Sequence, residues 1–110
     1  MTVTVVLPAY NEELRIAETL RAVKSLSMVD EIIVVNDGST DRTAEQVRDF
    51  GVTLIDLPAN QGKGGAMNAA LPYINSDIVV FLDADLGSSA DEAVKIIQVV
   101  KDGLCDLAIA

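Results

Sequence analysis

The sequence contains no histidine and only one cysteine, Cys105, among its 110 residues. Without histidine, the chain has no imidazole to act as general base, nucleophile or metal ligand. A single cysteine cannot form a disulfide within the chain, so the composition predicts a reducing, cytoplasmic setting. The first residues, MTVTVV, lack the charged segment that precedes the apolar stretch of a signal peptide, and we therefore expect no such peptide.

Basic residues are also few, with 8 lysines and arginines against 17 aspartates and glutamates, which gives a net charge of −9. This balance argues against nucleic acid and against electrostatic binding to anionic lipid, since both need a basic surface. A phosphorylated substrate remains compatible with it, because a divalent cation can mediate the contact. The apolar runs are about five residues long, far short of the ~20 that a membrane span requires.

Apolar segments rich in valine and isoleucine alternate with segments of helical periodicity. We predict strands at 2–8, 31–36, 52–57 and 77–83, helices at 11–26, 39–50, 62–74 and 89–103, and a fifth strand cut short at 106–110. Asn11 is the expected N-cap of the first helix, Ser39 or Thr40 that of the second, and Gly51 its end. The alternation predicts an α/β fold with a mainly parallel sheet covered by helices on both faces, in one incomplete domain spanning 1–110.

Polar residues follow each predicted strand, and the carboxyl ends of parallel strands share one edge of the sheet. Ligands of such sheets bind at that edge. The residues placed there are Pro8, Tyr10 and Glu12, then Asp37, then Lys63, and finally Asp83, Ala84 and Asp85. Their convergence on one edge is a stronger indication of a binding site than any one of these motifs.

The segment FLDADLG places Asp83 and Asp85 directly after a buried strand. Two nearby carboxylates repel each other, and Mg²⁺ or Mn²⁺ would relieve the repulsion while completing its shell with substrate phosphates. The alternative is that one aspartate caps the following turn and the other is solvated. The position after a strand of this sheet favours metal binding.

The other positions also allow two interpretations. Asp37 is placed to accept hydrogen bonds from a nucleobase or ribose, or it belongs to a plain strand-to-helix turn. The glycine-rich segment NQGKGGAMN lacks the Walker A spacing, but its backbone and Lys63 suit a phosphate; otherwise it is a flexible connection with a solvated lysine. Tyr10 either stacks on a base or lies at the core edge, and Glu12 either orients a ligand or favours its helix start.

Taken in order, the segments VVLPAYNEE, VVNDGSTDRT, NQGKGGAMNAAL and FLDADL resemble the family 2 glycosyltransferases. Within that family they are similar to the polyprenyl-phosphate sugar synthases. The resemblance covers nearly the whole chain and implies the Rossmann-like, nucleotide-binding N-terminal half of a GT-A fold.

The resemblance further implies inverting transfer from a UDP- or GDP-linked sugar, with Mg²⁺ or Mn²⁺ as cofactor. It assigns nucleoside contacts to Pro8, Tyr10, Glu12, Val35 and Asp37, places Lys63 beside the site, and makes Asp83, Ala84 and Asp85 the metal and donor motif. Asp83 and Asp85 would be the metal ligands. The acceptor would be a lipid phosphate or a small molecule, which allows a cytoplasmic protein peripheral to the membrane.

The family's catalytic base lies downstream of this aspartate motif, and neither Asp102 nor Asp106 matches a base motif. We therefore expect the chain to supply donor binding, with the base and acceptor site elsewhere. Two other functions remain open: a nucleotidyltransferase, although PAYNEE is not its usual phosphate loop, and a non-catalytic binding or assembly module. An exposed sheet edge predicts that the isolated chain self-associates.

Overall fold

A computed structural model describes residues 2–84 and 107–109. The predicted strands are present as Val3–Ala9 (β1), Glu31–Asp37 (β2), Thr53–Leu57 (β3), Ile78–Phe81 (β4) and Leu107–Ile109 (β5). Every pair of neighbouring strands is parallel, and their order across the sheet is β3-β2-β1-β4-β5. The predicted parallel sheet is confirmed, whereas the predicted helix at 89–103 and Cys105 lie outside the described residues.

Helices cover both faces of this sheet, as the apolar strands predicted. They are Ile16–Lys24 (α1), Thr43–Arg48 (α2) and Gly62–Ala70 (α3), with a 3-10 turn at Leu71–Tyr73. Because side chains alternate along a strand, β1 presents Val3, Val5 and Leu7 to α1 and α2, and Val6 to α3. The buried residues of the helices are Ile16, Leu20, Val23 and Val47 on the first face and Ala66 and Ala70 on the second. The three-layer architecture is confirmed.

The first two helices begin later than predicted. Helix α1 starts at Ile16, and Asn11, its expected N-cap, instead has a φ of 53° and accepts a hydrogen bond from the Thr40 N–H. Helix α2 starts at Thr43, since the hydroxyl of Ser39 accepts the N–H of Asn11. Both predicted caps were wrong because these side chains bond across two loops and not to their own helices.

Strand β4 ends at Phe81, two residues earlier than predicted, and Pro8 supplies the reason. The Leu82 N–H donates to the carbonyl of Val6, so the next bond of this parallel ladder would need an N–H from residue 8. Proline has none. Strand β1 nevertheless continues through Pro8 to Ala9, because there its remaining pairing is with β2. Asp83 is therefore released from the ladder.

Gly38 follows β2 in a conformation that brings two loops into contact. Its φ is 72°, and a Cβ there would lie 2.4 Å from the backbone nitrogen of Asn60. Gly51 has a similar φ of 68°, but a Cβ on it would meet nothing within 4 Å. Position 38 therefore favours glycine both for its left-handed φ and for its close approach to the segment before α3. Position 51 favours glycine for its φ alone.

We expect Gly38→Ala to destabilise the fold by clearly more than Gly51→Ala. The left-handed φ alone should cost each variant about 1–2 kcal/mol. Gly38→Ala must in addition move the backbone at Asn60. Urea denaturation of both variants and the wild type measures the difference, and equal losses would show that the two loops are not in contact.

Candidate functional site

A cavity of about 190 Å³ lies at the carboxyl edge of the sheet, lined by Pro8, Ala9, Tyr10, Asp37, Asn60, Gly62, Lys63 and Asp83. An adjoining cavity of about 300 Å³ is lined by Pro8, Tyr10, Glu12, Asp83 and Ala84. The three residues common to both cavities, Pro8, Tyr10 and Asp83, make them one continuous site. The structure thus brings together residues from all four loops that the sequence placed at this edge.

Seven of the nine residues singled out in the sequence line these cavities, and Val35 does not. Val35 is fully buried on β2, where it belongs to the core cluster under α3. Asp85, the second predicted metal ligand, lies outside the described residues. Ala84 is 3% exposed, and its carbonyl accepts a hydrogen bond from the buried hydroxyl of Thr19 on α1, which fixes the chain just after Asp83.

Asp37 ends β2 on the same side of the sheet as α3. The residue is 4% exposed, and its Oδ1 accepts the N–H of Gln61 at 2.7 Å. Its carbonyl accepts from the side chain of Asn60 at 3.3 Å. A buried carboxylate requires such donors. Asp37 therefore holds the start of α3 against the end of β2, and it also lines the cavity.

The loops after β1 and β2 are joined by a set of hydrogen bonds that we call the loop clasp, made by Asn11, Glu12, Glu13, Ser39, Thr40, Asp41 and Thr43. Three consecutive backbone N–H groups, of residues 11 to 13, donate to the side chains of Ser39, Thr43 and Asp41 at 2.9, 2.9 and 3.2 Å. In return, the Thr40 N–H donates to Asn11 Oδ1 at 2.9 Å. These N–H groups are satisfied by the neighbouring loop.

The loop clasp was missed in the sequence. The sequence predicts Asn11 and either Ser39 or Thr40 as helix caps, and the helix predicted at 39–50 includes Asp41 and Thr43. The available signal was the presence of capping-type residues in both loops at the same edge of a parallel sheet. By holding the two loops together, the clasp positions Tyr10 and Glu12 relative to Asp37.

Asp41 takes part in the loop clasp through its carboxylate, which accepts hydrogen bonds from Glu13 and Thr43. Desolvation raises the pKa of its carboxyl, but the hydroxyl and N–H of Thr43 and the N–H of Glu13 all donate to it, and together they lower the pKa below the usual 3.8. Hydrogen bonds to a carboxylate favour its charged form. The clasp is thus strongest when Asp41 is ionised.

Asp83 and Lys63 form an ion pair at the opening of the site. Lys63 Nζ lies 2.6 Å from Asp83 Oδ1, and the side chains are 49% and 43% exposed. Lys63 belongs to the first turn of α3, because the glycine-rich start of the segment predicted as a helix at 62–74 is itself helical. Over residues 2–84, no group of three or more acidic, histidine or cysteine side chains is placed to hold a metal ion.

A third cavity, of about 320 Å³, is larger but lies at the opposite edge of the sheet. Lys24, Asp30, Glu31, Gly51 and the first residues of β2 and β3 line it. The amino ends of parallel strands are not where ligands of such sheets bind. The Lys24 ammonium in this cavity already donates a hydrogen bond to the carbonyl of Phe50 at 2.8 Å. The carboxyl edge therefore remains the candidate site.

Comparison with known proteins identifies the family of the chain. The family model described as glycosyl transferase family 2 matches residues 4–110. The chain belongs to glycosyltransferase family 2. A curated relative, a dolichyl-phosphate beta-glucosyltransferase of Trichomonas vaginalis, is 38% identical over 103 residues, which cover 81% of this chain and 32% of the relative. The chain thus spans about a third of the length of the curated relatives that it matches.

Solved structures of similar proteins confirm the GT-A fold. Glucosyl-3-phosphoglycerate synthase of Mycobacterium tuberculosis, in complex with Mn²⁺, UDP and phosphoglyceric acid, gives a TM-score of 0.79 at 34% identity, over 90% of this chain and 38% of that one. A mannosyltransferase of Pyrobaculum calidifontis, in complex with GDP-mannose and Mn²⁺, gives 0.72 at 35%, over 76% and 27%. The family 2 resemblance seen in the sequence is confirmed.

We expect Asp41→Asn to destabilise the fold of this chain near neutral pH and to lose that effect in acid. A carboxylate whose folded pKa is lowered contributes stability above its unfolded pKa, and that contribution disappears as the pH falls through the folded pKa. The difference in unfolding free energy between wild type and variant should therefore shrink below pH 3.8.

Urea denaturation at several pH values measures this difference. Asp49→Asn is the matched control, because Asp49 is exposed at the far end of α2. A difference for Asp41→Asn that stays constant, or grows, as the pH is lowered would contradict the role of its charge in the loop clasp.

Proposed function

We propose that this chain forms the donor-binding part of a glycosyltransferase that takes its sugar from a nucleoside diphosphate and requires a divalent cation. The observation that carries the proposal is the convergence of Asp37, Lys63, Asp83 and Tyr10 on one continuous site at the carboxyl edge. Nucleotide ligands of open parallel sheets bind at this edge. A carboxylate, an ammonium and an aromatic ring suit a metal ion, a diphosphate and a base, respectively.

Asp83 is the described residue that would hold the metal, with Asp85 as the second ligand. The donor set fits a hard cation, because Asp83 already pairs with a positively charged group at 2.6 Å and remains 43% exposed. When bound, a divalent cation would neutralise charge that develops on the departing diphosphate. Mg²⁺ and Mn²⁺ both suit oxygen ligands, and the presence of Mn²⁺ in both solved relatives supports Mn²⁺.

Tyr10, Asp37 and Pro8 would bind the nucleoside. Tyr10 is 47% exposed and lines the first cavity, and an aromatic ring in that place would stack on a base. Asp37 provides a carboxylate within the same cavity, and Pro8 provides an apolar wall. Similar proteins are complexed with UDP or with GDP-mannose, which supports uridine and guanosine as the two bases to test.

Transfer to the acceptor would take place with inversion, through attack on the anomeric carbon from the side opposite the diphosphate. The catalytic base would lie outside the residues assigned to the donor site. The name of the Trichomonas relative supports a lipid phosphate as acceptor, and such an acceptor would bring the protein to a membrane surface. Within the described part of the chain, no helix has the length and apolar character needed to cross a membrane.

The test is a calorimetric titration of the wild-type chain with UDP and with GDP, each in the presence of Mn²⁺ or of EDTA. We expect metal-dependent binding of one nucleotide and a loss of at least about tenfold in affinity for Asp83→Asn, because a bound metal loses a charged ligand. Asp49→Asn, which removes an exposed carboxylate away from the site, should bind as the wild type does.

Circular dichroism establishes that each variant is folded. A folded wild type that binds neither UDP nor GDP in the presence of Mn²⁺ would overturn the proposed donor site. That outcome would favour a binding or assembly module that keeps the GT-A fold.

A further inference from the structure

The ion pair between Lys63 and Asp83 differs from the other ion pairs that the structure describes over residues 2–84. Arg42, the residue before α2, pairs with Glu45 in the first turn of that helix, and Arg48 pairs with Asp56 on β3. Among the described ion pairs, that of Lys63 and Asp83 alone joins two segments of the candidate site, the start of α3 and the chain after β4, across 20 residues of sequence. Its partners are about half exposed, so the pair contributes at most about 1 kcal/mol to stability. Such a contact is easily exchanged.

A divalent cation and the Lys63 ammonium would compete for Asp83. The ammonium lies 2.6 Å from Asp83 Oδ1, which is within the space that a metal ion and its waters would need beside the same carboxylate. A metal ion on this carboxylate would bring two positive charges close together, and they would repel each other. Lys63 must therefore leave Asp83 when a metal ion binds there.

The structure also provides a place for the displaced ammonium. Lys63 and Gly62 both line the first cavity, where Asp37 and Tyr10 mark the nucleoside end of the proposed site. The lysine side chain has a flexible four-carbon stem and three donors, so it can turn about its own α3 position toward an anion in that cavity. A diphosphate bound between Tyr10 and Asp83 would lie within reach of the Lys63 side chain.

We infer that Lys63 is an exchangeable counter-ion of Asp83, which occupies the cation position when no donor is bound and moves to the diphosphate when a metal ion takes its place. This role of Lys63 rests on the proposed function, and it makes the binding of the metal ion and the binding of the nucleotide depend on each other. Metal binding without nucleotide has to displace the ammonium with nothing to receive it. Metal and nucleotide together satisfy both groups, so each strengthens the binding of the other.

The first test is titration of the nucleotide-free chain with Mn²⁺, with the free ion followed by electron paramagnetic resonance. Lys63→Met should bind Mn²⁺ about fivefold more tightly than the wild type, since a competing surface ion pair worth at most about 1 kcal/mol is removed. Lys24→Met makes the same change of net charge at the opposite edge of the sheet and should leave the affinity unchanged. Lys63→Gln provides a second variant with a polar side chain.

The second test repeats the Mn²⁺ titrations in the presence of saturating UDP or GDP. The nucleotide should raise the Mn²⁺ affinity of the wild type by a larger factor than that of either Lys63 variant. If folded Lys63 variants bind Mn²⁺ no more tightly than the wild type without nucleotide, the counter-ion role is overturned. The counter-ion role is also overturned if nucleotide raises the Mn²⁺ affinity of the Lys63 variants by the same factor as that of the wild type.

These outcomes separate the inference from the proposal on which it rests. A wild type that binds no nucleotide contradicts the proposed function, and with it the move of Lys63 to a diphosphate. Normal metal-dependent nucleotide binding, combined with unchanged Mn²⁺ affinity in the Lys63 variants, contradicts the counter-ion role alone.

Discussion

The carboxyl ends of β1, β2 and β4 meet because these strands are parallel neighbours in one sheet, with β1 at the centre. This constraint brings together loops that are separated by up to 73 residues in sequence, from Tyr10 to Asp83. Pro8 adds a second constraint, since it has no N–H to continue pairing with β4. The chain therefore leaves the sheet just before Asp83, and this carboxylate extends into the site instead of lying in the ladder.

The site combines a fixed part with an exchangeable part. In the fixed part, the loop clasp and the bond from the Gln61 N–H to Asp37 hold three loops by hydrogen bonds between backbone groups and short side chains. Such preorganisation reduces the entropy that a ligand must remove on binding. The exchangeable part is the half-exposed pair of Lys63 and Asp83, where a long, flexible side chain lies at the proposed metal position.

The sheet could be predicted from sequence because its strands are buried on both faces and appear as apolar runs bounded by helical segments. The helix starts could not, because Asn11 and Ser39 bond to each other's loops across 28 residues, and local capping preferences do not include such contacts. The site residues were predicted as a set, since strand ends share an edge. Their pairing was not predicted: neither the bond from Gln61 to Asp37 nor the approach of Lys63 to Asp83 follows from spacing along the chain.

The central claim is that the carboxyl edge of the sheet binds a metal ion and a nucleoside diphosphate together, with Asp83 at the junction. Crystals of the protein grown with Mn²⁺ and UDP or GDP test it most directly, through the anomalous signal of manganese. We expect a manganese peak within about 2.0–2.5 Å of an Asp83 carboxylate oxygen, with Lys63 turned to the diphosphate. A nucleotide bound at another place, with the Lys63–Asp83 ion pair intact, would contradict the account.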